Sequence, residues 1–120
     1  MKIAISARSA SLESDFDTRF GRAPLFVIYD TDSKEVSSCN NTQNLQAAQG
    51  AGIQTAQNVA NAGAQAVISG HCGPKAFTVL TAAGVTVYQA KAATVQEAIQ
   101  QFEQGGLVPM SSADVDGHWV

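Results

Sequence analysis

Small and apolar residues alternate from Lys2 to Ala7, with Ile3 and Ile5 separated by Ala4, and this period of two predicts a first strand. Positions 8 to 22 keep no period. They hold serines, acids and the arginines Arg8, Arg19 and Arg22, and are predicted as a long loop. Leu25-Phe26-Val27-Ile28-Tyr29 is a continuous apolar run opened by Pro24, which predicts a buried strand because proline is tolerated where a strand begins. Asp30-Thr31-Asp32-Ser33-Lys34 carries turn chemistry, so Glu35 to Cys39 is predicted as a weaker hairpin partner at the sheet edge. Asn40 to Gly50 is a second polar loop.

The second half of the chain changes period. Ile53, Ala56, Val59 and Ala60 recur at helical spacing and predict a helix over 51–61, ended by Gly63. Ala66-Val67-Ile68-Ser69 predicts a short strand running into Gly70-His71-Cys72-Gly73. Pro74 suits a first helical turn, where its missing N–H has no partner to lose, and the helix it opens is predicted to bury Phe77 and Leu80 before Gly84 stops it. Val85-Thr86-Val87-Tyr88 reads as the last strand. Thr94-Val95-Gln96-Glu97 is a capping box that opens a helix with Val95, Ala98, Ile99 and Phe102 on one face. Leu107 to Val120 has no period and is predicted as an extended arm. The pattern divides the chain into one α/β domain over 1–104 and a C-terminal tail over 105–120, without internal repeats.

Three strands, then helix, strand, helix, strand, helix constrain the topology. Right-handed helical crossovers make strands one, four and five parallel if strand one lies beside strand four, while strands two and three join antiparallel through hairpin pairing. A mixed five-stranded sheet of order 3-2-1-4-5, covered by helices, is therefore predicted. The order reverses beside strand one, and ligands of open α/β sheets favour the crevice beyond the carboxyl ends of the strands at such a reversal.

Composition narrows the class. The chain's 120 residues fit one ordinary domain, and 45% hydrophobic with only 14% charged residues excludes a disordered chain. A net charge of −3 excludes a general nucleic-acid binder, which needs a broad basic surface. Cys39 and Cys72 form no C-x-x-C pair and are expected as reduced thiols, which suits a cytoplasmic protein. The apolar N-terminal stretch is interrupted by Arg8, so neither a signal peptide nor a membrane span is expected.

Position matters more than sum for the seven cations. In the predicted topology Arg8 follows strand one, Arg19-Phe20-Gly21-Arg22 precedes strand two, and Gly70-His71-Cys72-Gly73-Pro74-Lys75 follows strand four. Arg8, Arg19, Arg22 and Lys75 then gather at one end of the sheet. The Gly70–Gly73 turn adds unpaired amides at a helix N-terminus, where the dipole favours an anion. Arginines supply multi-donor forks and Lys75 a mobile charge. Phosphate, carboxylates and a thiometallate all satisfy this chemistry. His71 and Cys72 are ligand types for copper, zinc or iron–sulfur species, but two adjacent residues cannot complete a tetrahedral cage, so a direct metal bond would be partial. The bland alternatives are a loop histidine bonded to backbone and a small buried cysteine at a helix start. Met110 and His118 are candidate donors from the tail. Local ion pairs to Asp15 and Asp17 compete for Arg19, and the same two acids are the only basis for a Mg²⁺-dependent hydrolase.

Several segments together resemble the dinitrogenase iron–molybdenum cofactor-binding family. Phe20-Gly21-Arg22-Ala23-Pro24-Leu25-Phe26 is similar to its FGRAP-x-F segment, and Gly50-Ala51-Gly52-Ile53-Gln54-Thr55-Ala56 to its GAGIQTA helix start. Gly70-His71-Cys72-Gly73-Pro74-Lys75-Ala76-Phe77 resembles its G-x-x-GPKAF turn, and Ala83-Gly84-Val85-Thr86-Val87-Tyr88 the strand that follows. The resemblance implies a ribonuclease-H-like fold and non-covalent binding of molybdenum-containing metal–sulfur clusters. The His-Cys turn is most like the orange-protein branch, which implies an anionic mixed molybdenum–copper sulfide cluster. It implies Arg8, Arg19, Phe20, Gly21, Arg22, Gly70, His71, Cys72, Gly73 and Lys75 as site residues. Many relatives place histidine where this chain has Arg19, which supplies charge but no metal ligand.

The expected function is therefore that of a carrier or store for a cluster, itself non-catalytic. Its partners are the anionic cluster and other cytoplasmic proteins, with no nucleic acid and no membrane. A regulatory interaction module and a small metal-dependent hydrolase are the alternatives.

Overall fold

The computed structural model describes residues 1–41 and 51–111; the polar loop over 42–50 and the end of the arm, with His118 and Trp119, lie outside the described residues. Five strands are formed, β1 (Lys2–Ala7), β2 (Leu25–Asp30), β3 (Val36–Asn40), β4 (Ala66–Ser69) and β5 (Thr86–Gln89). Three helices accompany them, α1 (Ala51–Asn61), α2 (Pro74–Ala82) and α3 (Val95–Glu103), with a 3-10 turn at Phe20–Arg22. The strands make one sheet of order β3-β2-β1-β4-β5, as the crossover argument predicts. β2 runs antiparallel to β1 and β3, while β1, β4 and β5 are parallel.

Alternation along the strands divides the core between two faces. Ile3, Ile5, Val27, Ala66 and Ile68 point to the side covered by Val95, Ala98 and Ile99 of α3. Ala4, Phe26, Ile28, Val67 and Val87 point to the side covered by α1 and α2, through Ala56, Val59, Ala76 and Leu80. Small residues on this second face let the two helices sit close to the sheet, consistent with a chain rich in alanine and poor in aromatics.

Element ends depart from the sequence pattern where local bonds intervene. The last strand begins at Thr86 because the Val85 amide still donates to Leu80 O (2.9 Å), closing the end of α2. Lys34 takes a left-handed backbone (φ 65°) in the hairpin turn, and β3 starts only at Val36. Phe77 is half-buried, because the inward stripe of α2 runs through Ala76 and Leu80. At α3, Thr94 Oγ1 accepts from the Glu97 amide as a capping box requires (3.2 Å), but Glu97 accepts from the Ala93 amide rather than from Thr94 (3.3 Å). The start of the arm lies against the sheet. Pro109 bridges Tyr88 in antiparallel sense and the Met110 amide donates to Val87 O at 2.8 Å. No described helix is long and apolar enough to cross a membrane.

One polar residue ties the start of β2 to a helix. Asn41, 1% exposed, donates Nδ2–H to Ala23 O (2.8 Å), accepts from Thr55 Oγ1 (2.9 Å) and donates its amide to Pro24 O (2.9 Å). It clips the Phe20–Pro24 segment against α1. Asn41→Ala removes the side-chain bonds to Ala23 O and Thr55 Oγ1 and should lower stability by about 1–3 kcal/mol. The check is a urea titration, with the midpoint expected to fall at unchanged slope.

Candidate functional site

Parallel pairing of Ala4 with Val67 and Ile5 with Ile68 brings the carboxyl ends of β1 and β4 side by side, and the register Ala7–Leu25 sets the start of β2 at the same end. The loop after β1 and the turn after β4 therefore leave the sheet together. They bond directly. The His71 amide donates to Thr18 O (2.7 Å) and the Phe20 amide to His71 O (3.2 Å), forming a parallel bridge between Arg19 and His71. Gly70 permits this approach: a Cβ there would stand 2.7 Å from Thr18 Cβ and 2.9 Å from its Cα and carbonyl oxygen. The carbonyl of Gly70 accepts from Gln89 Nε2 at 2.9 Å. The missing side chain thus serves contact between two protein backbones, not the approach of a ligand to Gly70 itself.

Below the bridge, Asp17 organises the charges. Its amide donates to Ser6 O (3.0 Å), its carbonyl accepts from Ser6 Oγ, and that hydroxyl lies 3.0 Å from Ser69 Oγ. The Asp17 side chain is 3% exposed. Its Oδ1 accepts the Arg19 amide at 2.9 Å and lies 3.5 Å from Arg19 Nε, while Oδ2 lies 3.8 Å from Arg8 Nε. Arg8 and Arg19 remain 62% and 46% exposed, so both guanidinium groups face solvent over a buried carboxylate. Arg22 ends the 3-10 turn that follows, with Phe20 and Gly21 buried beneath it. Every arginine of the chain thus sits on the segment that pairs with the His71 turn or at its root.

The turn after β4 contributes less uniformly. Gly73 is the N-cap of α2 and makes no side-chain cap bond, and Pro74 occupies the first turn. Lys75 is exposed beside it. Ile53, Pro74, Lys75, Thr78 and Val79 line a shallow, mainly apolar groove of about 340 Å³ between the starts of α1 and α2. His71 is half-buried. Cys72 is fully buried in the core cluster with Phe20 and Ala76, and its Sγ lies 3.8 Å from Gly73 O. A thiol with no exposed surface has no open path to a bulky ligand in this conformation, and it packs as the small core residue that was the other reading. Burial pushes the Cys39 thiol up, which keeps it protonated on its edge strand. Met110 follows the arm toward the amino end of β5, away from the His71 turn.

Asp15 and Asp17 do not form an acid pair. Asp15 is exposed and bridges Thr94, whereas Asp17 is enclosed between arginines. Among the described residues no group of three or more His, Cys, Asp or Glu is placed to hold a metal ion. The arrangement suits an anion held by charge and hydrogen bonds more than a bare metal held by ligands. Of the organising parts, Ser6, Ser69 and Asn41 are what the sequence pattern passed over, whereas the ion pair of Arg19 with Asp17 is one of its readings. Only Asp17 carried a signal, as an acid two residues before an arginine.

The family described as dinitrogenase iron-molybdenum cofactor matches residues 1–105. An uncharacterised protein of Methanocaldococcus jannaschii is 31% identical over 109 residues, 89% of either chain. The apo form of the orange protein from Desulfovibrio gigas superposes with a TM-score of 0.92 at 36% identity, over 95% of this chain and 96% of that one. A putative NifB protein from Thermotoga superposes with a TM-score of 0.84 at 37% identity, over 97% of this chain and 98% of that one.

Gly70→Ala tests the joint between the two loops. The added Cβ meets Thr18 Cβ and the Thr18 backbone rather than the flexible end of a side chain, so the loops should part at a loss of about 1–3 kcal/mol. Amide hydrogen exchange at His71 and Phe20 should accelerate well beyond exchange in β1, and protection equal to the native chain would contradict the steric reading.

Proposed function

The chain belongs to the dinitrogenase iron–molybdenum cofactor family, and from that premise we propose that it carries or stores an anionic molybdenum-containing metal–sulfur cluster, held without covalent attachment. The observation that supports this reading is the gathering of Arg8, Arg19 and Arg22 around a turn that opens α2, in a chain whose net charge is −3. Arginine forks and helix-start amides match an anion with many acceptor atoms. The mainly apolar groove beside Lys75 favours sulfide over oxide, because sulfide is soft and loses less hydration on touching apolar surface. The resemblance of the His71-Cys72 turn to the orange-protein branch implies a mixed molybdenum–copper sulfide cluster as the cargo, and the likeness in fold to the orange protein of Desulfovibrio gigas accords with that branch.

In this reading Arg8, Arg19, Arg22 and Lys75 supply charge. Phe20, Gly21, Gly70 and Gly73 shape the backbone around the cluster, and His71 supplies a polar edge. Cys72 supports the turn from inside. On this reading the protein is a binder and not an enzyme, and the pairing of Asp17 with Arg8 and Arg19 gives that acid a charge-organising part. Cys39 and Cys72 form no disulfide with each other, which accords with a cytoplasmic carrier that exchanges cargo with other proteins there.

The test is reconstitution of the purified chain with thiomolybdate and copper, followed by gel filtration, an absorption spectrum and elemental analysis. A coloured protein containing both metals is expected. Arg19→Ala and Arg22→Ala should each weaken retention by about 1.5–3 kcal/mol, roughly ten- to a hundredfold. Undiminished retention in both variants would reject the arginine cradle, and a chain that stays colourless would reject the cluster reading.

A further inference from the structure

The site contains one charge of the wrong sign for its cargo. Asp17 is buried against the carboxyl ends of β1 and β4, with both its backbone groups bonded to Ser6, so the sheet itself fixes where its carboxylate stands. A carboxylate among cations weakens the pull on any anion, unless it does something that outweighs the lost attraction. The geometry suggests what that is. For both Arg8 and Arg19 the atom nearest the carboxylate is Nε, at 3.8 and 3.5 Å, and both side chains keep about half or more of their surface in solvent. A guanidinium held by its Nε side presents its outer N–H groups away from the anchor. Oδ2 accepts no hydrogen bond among the described residues although it is buried, so the Arg8 contact at 3.8 Å is an ion pair without a hydrogen bond.

We propose that Asp17 is a positioning residue that anchors Arg8 and Arg19 from behind, turning their outer donors together toward a large anion with several acceptor atoms. The inference rests on the cluster reading and adds what the site selects. Pre-aligned forks gain most with a ligand that engages both arginines at once, because the ordering of two long side chains is already done. A small oxyanion that touches one arginine gains nothing from alignment and loses attraction to the carboxylate. Asp17 therefore lowers affinity for small anions while raising it for a bulky, many-sided one.

Charge and alignment make opposite demands, so one substitution separates them. Asp17→Asn keeps the shape and an acceptor for the Arg19 amide but removes the ionic anchor. Binding of inorganic phosphate, followed by calorimetry, should strengthen by about three- to tenfold. Retention of the thiomolybdate–copper species should fall by about threefold or more. If both strengthen, Asp17 is a bystander charge; if both weaken, it is merely structural; if neither changes, it is irrelevant. Each of these results overturns the proposal. Should Asp17→Asn fail to fold, Arg8→Lys preserves every charge but removes the Nε anchor. It should leave phosphate binding within about twofold and still weaken cluster retention. Arginine Nε–H resonances keep this test apart from the functional reading. A native chain that takes up no thiomolybdate and copper rejects the cluster, whereas Nε signals of Arg8 and Arg19 that ignore Asp17→Asn reject the anchor whatever the protein binds.

Discussion

The parallel pairing of β1 with β4 at the centre of the sheet is the constraint from which the site follows. Parallel strands release their chains at the same end, and ligands of open α/β sheets favour the crevice beyond it. Ser6 and Ser69 meet there on adjacent strands, and the loop behind β1 is tied to the turn behind β4 by backbone bonds through His71. β2, entering antiparallel, brings Phe20–Arg22 to the same place from the other side. The arginines converge because three chain segments have no alternative exit.

The loop that carries them is long and polar, yet it is held at several points. Phe16 is buried against the α3 face of the sheet and its amide donates to Ala93 O (3.1 Å). Ser14 accepts the amides of Arg8 and Ser9 at 3.2 and 2.8 Å. Asn41 secures the far end against α1. A loop pinned this often gives up its conformational entropy during folding, not during ligand capture. The guanidinium groups of Arg8 and Arg19 stand exposed on this pinned loop, each paired with Asp17.

The electrostatic design differs from that of a metal-ion site. Protein ligands for a bare cation must surround it, whereas a metal–sulfur cluster arrives with its inner shell complete and needs only counter-charge, donors and a surface of suitable softness. Under the proposed function, the arginine forks with apolar surface nearby are the parts that would meet those needs. The buried Cys72 belongs to the fold of the turn, supporting the backbone whose amides open α2.

Sequence alone determined the strands and helices to within a residue or two, their order in the sheet, and the end at which Arg8, Arg19, Arg22 and the His71 turn assemble. These follow from periodicity, from proline and glycine at element boundaries and from the handedness of crossovers, all of which act over short stretches or leave few topologies open. The tertiary structure decided what Gly70 is for, where Cys72 and Phe77 point, and that Asp17 pairs with Arg8 and Arg19 while Asp15 bridges Thr94. Asn41 with Thr55, Ser6 with Ser69 and Gly70 with Thr18 join positions far apart along the chain. Polar residues of this kind carry no period, and their partners are chosen only when the closed sheet brings them within bonding distance.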